Sequence, residues 1–295
     1  MLLRRFSYGV GLGLLAGLTM TPIAQANEVS AKPQSQTVVR RAGAIKAELS
    51  FDVVAKPWTQ YKNVQLKVQR GDKTAYDRPL LDDAATKGLK DFWVMADRKF
   101  KGLANNSFLI RDLDGDQEPE IILEFYSGGA HCCVSSAIYR YDAAAKSYKP
   151  TVLGWGDAAA TFELRQLDPQ RQALQLVSRD VGFAYAFTAY AFSGYPVQIW
   201  EYQQGKIVDV TRRYPKLIYN SAYRNWLQIQ RTQKDYPNEP QYARGPIAAY
   251  MATKYLLGQE KAGWALMDQV YRGSDKATFF ADLRQFLIKR GYAKS

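Results

Sequence analysis

Five acidic residues lie within nine positions in the middle of the chain, where segment 112–120 reads Asp-Leu-Asp-Gly-Asp-Gln-Glu-Pro-Glu. Carboxylates at alternate positions of a tight turn can converge on one ion, and calcium takes about six to eight oxygen ligands. The segment therefore predicts a structural calcium loop, with ligands from Asp112, Asp114, Asp116, Glu118 and Glu120. The alternative is an acidic turn that is merely solvated.

The spacing of this loop excludes an EF-hand, which has an invariant glycine at its sixth position and a glutamate at its last. Here those positions hold Gln117 and Leu123. The loop instead resembles the calcium loop of FG-GAP/VCBS repeats, in which Asp-x-Asp/Asn-x-Asp-Gly-x-x-Asp precedes an apolar strand. The match falls on Asp112, Asp114, Asp116 and Glu120, with Gln117 in place of the usual Gly and Glu120 in place of the usual Asp. The resemblance implies blades of an integrin-type β-propeller.

The single histidine and both cysteines of the chain are contiguous, at His131, Cys132 and Cys133. One histidine excludes sites that need two, such as the usual zinc hydrolases. Four interpretations of the cysteines stay open: a disulfide between them, free structural thiols, a transition-metal site, and a catalytic thiol with His131 as its neighbour. The stretch Gly-Gly-Ala-His-Cys-Cys after an acidic loop is also similar to secreted bacterial proteins, a resemblance that implies no particular activity.

Alternating apolar and polar residues predict strands on both sides of the acidic loop, including Glu120–Tyr126 and Ala137–Tyr141. A second set of strands begins at Thr161 and repeats the first at a spacing of about 54 residues. It includes Phe183–Phe192, whose aromatic row we assign to core packing. The expected fold class is mainly β, with propeller-blade-like antiparallel sheets and a small C-terminal α-helical unit.

Helical spacing of the apolar residues begins after Pro215 and predicts four helices. They cover Tyr219–Lys234, Ile247–Leu257, Trp264–Tyr271 and Lys276–Arg290. The expected domain organisation is a signal peptide over residues 1–26, a flexible linker over 27–45, a β-rich FG-GAP-like domain over 46–211 and the helical unit over 212–295.

Residues 1–26 have the three parts of a signal peptide. Arg4 and Arg5 give a basic start, an apolar run follows, and Ala24-Gln25-Ala26 has the small-x-small form of a cleavage site. The apolar run is shorter than the ~20 residues of a spanning helix. We therefore expect export to the periplasm or the medium after cleavage at Ala26, with no transmembrane span left.

The net charge of +12 conceals an acidic centre: residues 27–110 carry +6, residues 111–211 carry −5 and residues 212–295 carry +9. An exported protein does not meet cytosolic nucleic acid. The basic ends therefore predict an anionic glycan, an envelope surface or a protein as partner. In the helical unit, Tyr219, Tyr223 and Trp226 alternate with Lys and Arg.

Together these patterns predict an exported, non-enzymatic binding or scaffold protein with calcium as its structural cofactor. The rival is an envelope hydrolase or thiol-redox protein that uses Cys132, Cys133 or His131. The sequence contains no Gly-rich phosphate loop, nucleophile elbow or metalloprotease helix.

Overall fold

The computed structural model describes residues 33–54, 60–89, 93–94, 107–128, 131–157 and 161–294. The described chain is antiparallel β-structure up to Asp209 and helical from Pro215 onward. This confirms the expected fold class, mainly antiparallel β-sheet with a C-terminal α-helical unit. The predicted signal peptide over residues 1–26 lies outside the described residues.

Three antiparallel sheets follow one another along the described chain. The first sheet has the order β1-β2-β3-β4, with strands Gln34–Ala42, Ile45–Val54, Gln60–Arg70 and Lys73–Pro79. The second sheet has the order β5-β7-β8-β9, with β6 paired to β7, and its strands are Trp93–Val94, Phe108–Arg111, Glu120–Tyr126, Val134–Asp142 and Ser147–Gly156. The third sheet has the order β10-β11-β12-β13, with strands Glu163–Arg165, Gln175–Arg179, Val197–Gln203 and Lys206–Asp209.

The first strand corrects the flexible linker expected over residues 27–45. Gln34–Ala42 pairs along its whole length with β2, from Gln34 opposite Val53 to Ala42 opposite Ile45. Of its nine residues only Val38 is buried. An edge strand pairs through its backbone and keeps polar side chains in solvent, so this strand carries little of the apolar periodicity that would have revealed it.

The core is layered, with the second sheet in the middle. One apolar cluster joins the first sheet to the second and includes Leu49, Leu66 and Leu123. Another joins the second sheet to the third and includes Ile122 and Leu176. Because alternate strand residues point to opposite faces, β7 is buried on both faces, which explains its nearly continuous apolar sequence.

Four helices follow the third sheet, and they are α1 Pro215–Asp235, α2 Arg244–Leu256, α3 Glu260–Val270 and α4 Lys276–Lys289. Ile218 of α1 packs with Ile199 of β12 in the cluster that joins the helices to this sheet. The described part of the chain contains no helix of the length and apolarity that a bilayer span requires.

The integrin-type β-propeller implied by the acidic loop is wrong. The three sheets stack through the two clusters described above and do not close into a ring. The first sheet ends this stack on one side, and the helices cover it on the other. The first and third sheets each contain four strands in chain order, and the second contains the run β6-β7-β8-β9, which is why the sequence resembled separate blades.

The segment 183–192 is not the strand that its alternating aromatic residues predict. It is an irregular connection with short 3-10 turns at Val181–Phe183 and Tyr190–Phe192. Its backbone leaves the extended conformation at Tyr185, where φ is +59° and lies in the left-handed region. Phe183 enters the helical core, whereas Tyr185 stays 58% exposed, so core packing accounts for only part of the aromatic row.

Candidate functional site

The acidic loop joins β6 to β7 and coils tightly. Gly115 and Gln117 adopt left-handed conformations, with φ of +81° and +68°. Asp112 stabilises the coil because its Oδ1 accepts the Gly115 N–H at 2.7 Å and its Oδ2 accepts the Gln117 N–H at 2.9 Å. As a result, one carboxylate oxygen from each of Asp112, Asp114 and Asp116 lies within 4.8 Å of the other two. We call these three residues the carboxylate cluster.

Arg140 of β8 closes one side of the carboxylate cluster. Its Nη1 donates to Asp114 Oδ2 at 2.9 Å and to Glu120 Oε1 at 2.9 Å, and its Nη2 donates to Asp116. Burial opposes the ionisation of Asp116, but the Arg140 guanidinium and the Glu118 N–H together hold its pKa below the usual range. No local sequence pattern indicates this arginine, because it lies 20 residues from Glu120 and becomes its neighbour only through the pairing of β7 with β8.

The structure places the other two predicted ligands outside the carboxylate cluster. Glu118 forms an ion pair with Arg70 of the first sheet, with Nη2 at 2.7 Å from Oε2. Glu120 is fully buried, and its Oε2 accepts the Leu113 N–H at 3.0 Å. Burial raises the pKa of Glu120 to about 8, against the opposing effect of the Leu113 N–H.

One oxygen of Asp114 has no hydrogen-bond partner among the residues that the structure describes. Its side chain is 8% exposed, and its Oδ2 accepts hydrogen bonds from Arg140 and from the Gln204 N–H. Its Oδ1 is buried and has no hydrogen-bond partner. Burial raises the pKa of Asp114. A buried carboxylate oxygen without a partner is costly, so this position favours a further cation.

The loop also contacts the third sheet. The Gln204 N–H, in the turn between β12 and β13, donates to Asp114 Oδ2 at 3.0 Å, and the Leu174 N–H donates to the Leu113 carbonyl at 2.9 Å. At Gly115 a Cβ atom would lie 2.8 Å from the Cβ of Gln172, so this close approach requires glycine. The carboxylate cluster therefore lies on the boundary between the second and third sheets.

The third sheet repeats the backbone arrangement of this site. The Leu167 N–H donates to Gln175 Oε1 at 2.8 Å, just as the Leu113 N–H donates to Glu120. Gln175 stands first in β11, and Glu120 stands first in β7. Two consecutive sheets therefore use the same side-chain oxygen to satisfy the backbone of the loop before the strand.

The charges at the equivalent place in the third sheet differ. Glu201, opposite Gln175, is fully buried and accepts from Arg171 at 3.0 Å and from Arg213 at 3.1 Å. Burial opposes its ionisation, but the side chains of Gln203 and Gln175 and the two arginines hold its pKa below the ordinary value. Two arginines thus bind the single buried glutamate of this site. Among the described residues, Arg140 is the one arginine that binds Glu120 and the carboxylate cluster.

The sulfurs of Cys132 and Cys133 are bonded to each other. Cys132 and His131 are exposed. The ring of His131 lies on Tyr190, with centroids 3.8 Å apart, and 6.2 Å from the ring of Tyr185. An intact disulfide leaves no thiolate for His131 to activate.

Glu124 is a second buried carboxylate of β7, and it is not among the predicted site residues. It lies on the same face of β7 as Glu120, is 1% exposed, and accepts a hydrogen bond from Thr161 Oγ1 at 2.7 Å. Burial raises its pKa to about 7, against the opposing effect of Thr161. The sequence does carry a signal for it, because Glu124 stands inside the apolar segment Glu-Ile-Ile-Leu-Glu-Phe-Tyr.

Glu124→Gln should remove one source of pH-dependent stability. The folded pKa of Glu124 lies above its ordinary value of 4.5, so the folded state keeps a proton that the unfolded chain releases. Stability contributed by this proton is present below pH 4.5 and is lost as the pH rises to about 7. We expect the variant to lose roughly 2.5 kcal/mol less than wild type between about pH 5 and about pH 8.

Urea unfolding at the two pH values measures this difference. Glu163→Gln is the matched control, since Glu163 is an exposed glutamate of β10, and this variant should follow the wild-type pH dependence. Equal pH dependence of wild type and Glu124→Gln would contradict the raised pKa.

The disulfide gives a second prediction, read by mass spectrometry. The oxidised protein, unfolded without reductant, should be lighter by two hydrogens than the reduced chain and should not react with iodoacetamide. After reduction both cysteines should be alkylated. Cys132→Ser is the control and should react once without reductant, at Cys133. Two alkylations of the untreated wild type would show that the sulfurs are not bonded.

Comparison with known proteins relates the helical unit to a described family. Residues 218–291 match the sll0997 C-terminal domain. The chain is also 29% identical over 213 residues to "Probable thylakoid lumen protein sll0997" of Synechocystis sp. (strain ATCC 27184 / PCC 6803 / Kazusa). This aligned region covers 63% of this chain and 60% of that protein. The chain is 27% identical over 164 residues to "Uncharacterized protein y4bJ" of Sinorhizobium fredii (strain NBRC 101917 / NGR234). This aligned region covers 54% of this chain and 24% of that protein. The chain thus spans less than two thirds of either relative, and no solved structure matches.

These findings overturn the FG-GAP/VCBS resemblance. The family that matches is a different one, and the sheets do not form the propeller that the resemblance implied. The resemblance rested on one short loop, and a short spacing of carboxylates can arise in unrelated folds. Over the helical unit, the chain is similar to the sll0997 C-terminal domain.

Proposed function

We propose that the protein is an exported, non-enzymatic scaffold in which one calcium ion, bound by the carboxylate cluster, joins the second sheet to the third. The observation that carries this proposal is Asp114 Oδ1, a buried carboxylate oxygen without a partner beside Asp112 and Asp116. A divalent cation would supply that partner.

The donor set fits calcium. All three side chains of the carboxylate cluster offer carboxylate oxygens. These are hard ligands, and they favour calcium over the softer transition metals. Asp112, Asp114, Asp116 and Glu120 carry four negative charges when ionised, and Arg140 supplies one positive charge against them. The bound ion would reduce the repulsion between the carboxylates.

A structural role follows from the place of the cluster. The Gln204 N–H of the third sheet and Arg140 of the second both donate to Asp114 Oδ2. An ion on the other oxygen of Asp114 would therefore hold a residue that already links the two sheets. At the equivalent place of the third sheet, Arg171 and Arg213 neutralise Glu201, which supports the idea that such sites need a balancing cation.

Export is supported by the three-part pattern of residues 1–26 and by the lumenal description of the Synechocystis relative. A thylakoid lumen, like a periplasm, is reached by crossing a membrane. The hydrolase alternative is less supported, because the bonded cysteines offer no thiolate and the rings beside His131 are those of tyrosines. The disulfide is compatible with the thiol-redox alternative, which reversible reduction of the bond would favour.

Calcium should stabilise the wild-type protein and bind it at one site. At a free concentration of about 100 times the dissociation constant, the gain is roughly 2.7 kcal/mol, which raises the melting temperature by about 5–10 °C relative to a chelator. Asp114→Asn should abolish the rise, because it removes charge from the central ligand. Thermal unfolding and isothermal titration calorimetry measure both effects.

Asp168→Asn is the matched control for this experiment. Asp168 lies in the equivalent loop before β11, where its Oδ1 accepts the Gln170 N–H. This variant should keep the full calcium response. An unchanged melting temperature of the wild type in calcium, together with no heat of binding, would refute the calcium site.

Export predicts a processed N-terminus. When the chain is expressed with its first 26 residues in a bacterium, the protein recovered outside the cytoplasm should begin at Asn27, as N-terminal sequencing would show. Replacing Arg4 and Arg5 with glutamate should retain the unprocessed chain in the cytoplasm. Wild-type chain found there with residues 1–26 intact would contradict export.

A further inference from the structure

Helix α1 has an exposed apolar stripe opposite its buried face. Tyr219, Tyr223 and Leu227 are 58%, 54% and 44% exposed and follow one another every four residues. Residues at this spacing lie on one side of a helix. The buried residues of α1 lie on the other side, and they are Ile218, Ser221, Ala222, Asn225, Ile229 and Thr232.

Basic residues surround this stripe. Lys216 lies before it and Lys234 after it, on the same side of the helix, and Arg224 and Arg231 flank it along one edge. All four are exposed, and none forms an ion pair with another described residue. The one acidic residue of α1 is Asp235, at its C-terminal end. We call the stripe and these four cations the basic stripe.

The composition of the basic stripe points to an anionic lipid surface. Tyrosine is favoured at the boundary between lipid headgroups and acyl chains, and leucine gains free energy by entering the acyl region. Lysine keeps its ammonium among the headgroups while its methylene stem lies along apolar surface. The aliphatic Leu227 favours lipid over an anionic glycan, which would have no use for it.

The shape of the basic stripe agrees with this partner. The two lysines are 18 residues apart, which is about 27 Å along a helix at 1.5 Å per residue. The stripe lies along one exposed side of a single helix. Such a face can lie along a bilayer surface, with the opposite side of α1 held by the protein core.

We propose that α1 binds the surface of a membrane that contains anionic lipids, parallel to the bilayer plane, through the basic stripe. Tyr219, Tyr223 and Leu227 enter the headgroup region, and the four cations contact lipid phosphates. The protein is then peripheral, and the three sheets project away from the membrane. This proposal does not depend on the calcium site.

Sedimentation with lipid vesicles tests this proposal on the full chain. We expect binding to vesicles of phosphatidylcholine with about 30 mol % phosphatidylglycerol and much weaker binding to phosphatidylcholine alone. Raising the salt from about 0.1 M to about 1 M should release most of the protein, because the Debye length falls from about 10 Å to about 3 Å. All variants are purified in the same form as the wild type, so that residues 1–26 contribute equally.

Lys216→Gln with Lys234→Gln should lower the partition coefficient about 30-fold, since each basic residue near an anionic surface contributes about fivefold. The matched control is Lys73→Gln with Lys87→Gln, which removes the same charge from exposed positions of the first sheet region. It should bind as the wild type does. This comparison separates a local basic stripe from a general effect of net charge.

Tyr223→Ser with Leu227→Ser tests the apolar part and should weaken binding at least about tenfold. Tyr185→Ser is its control, because Tyr185 is as exposed as Tyr219 and lies outside α1. Circular dichroism verifies that every variant is folded. No binding of the wild type to anionic vesicles, equal binding of all variants, or self-association through α1 seen by light scattering would overturn the proposal.

Discussion

The acidic loop is the place where the three sheets meet, and its ion pairs hold them in register. Glu118 binds Arg70 of the first sheet, Asp114 binds Arg140 of the second, and the Gln204 N–H of the third donates to the same aspartate. Apolar clusters also join the sheets, but apolar packing is not directional. The ion pairs and hydrogen bonds of this loop therefore help to fix the position of each sheet relative to the next.

Because β7 is buried on both faces, its two glutamates are costly to keep charged. A strand in the middle of three layers cannot expose a polar side chain, so Glu120 and Glu124 each need an internal partner. Glu120 has Arg140 and the Leu113 N–H, whereas Glu124 has the neutral hydroxyl of Thr161. The pKa values of both glutamates are raised. The hydrogen bonds and the one arginine therefore offset only part of the free-energy cost of burying a charged carboxylate.

The sequence predicted the elements better than their assembly. Long periodic segments such as β7 and α1 were found because their apolar residues recur at the spacing of a strand or a helix. β1 was missed because an edge strand needs little burial, and the segment 183–192 was misread because Tyr185 reverses the backbone within an alternating pattern. In the site, the local pattern predicted Asp112, Asp114 and Asp116 as neighbours, but Arg140 comes from another strand and no local pattern could indicate it.

The opposite charges of the middle and the ends of the chain now have separate places in the fold. The acidic loop lies between the second and third sheets, while the basic stripe lies on α1, beyond the third sheet. Ile218, on the buried side of α1, packs against Ile199 of that sheet. That sheet in turn meets the acidic loop, where the Gln204 N–H donates to Asp114 Oδ2. The proposed calcium ion would add a further link at this boundary, where apolar packing alone is not directional.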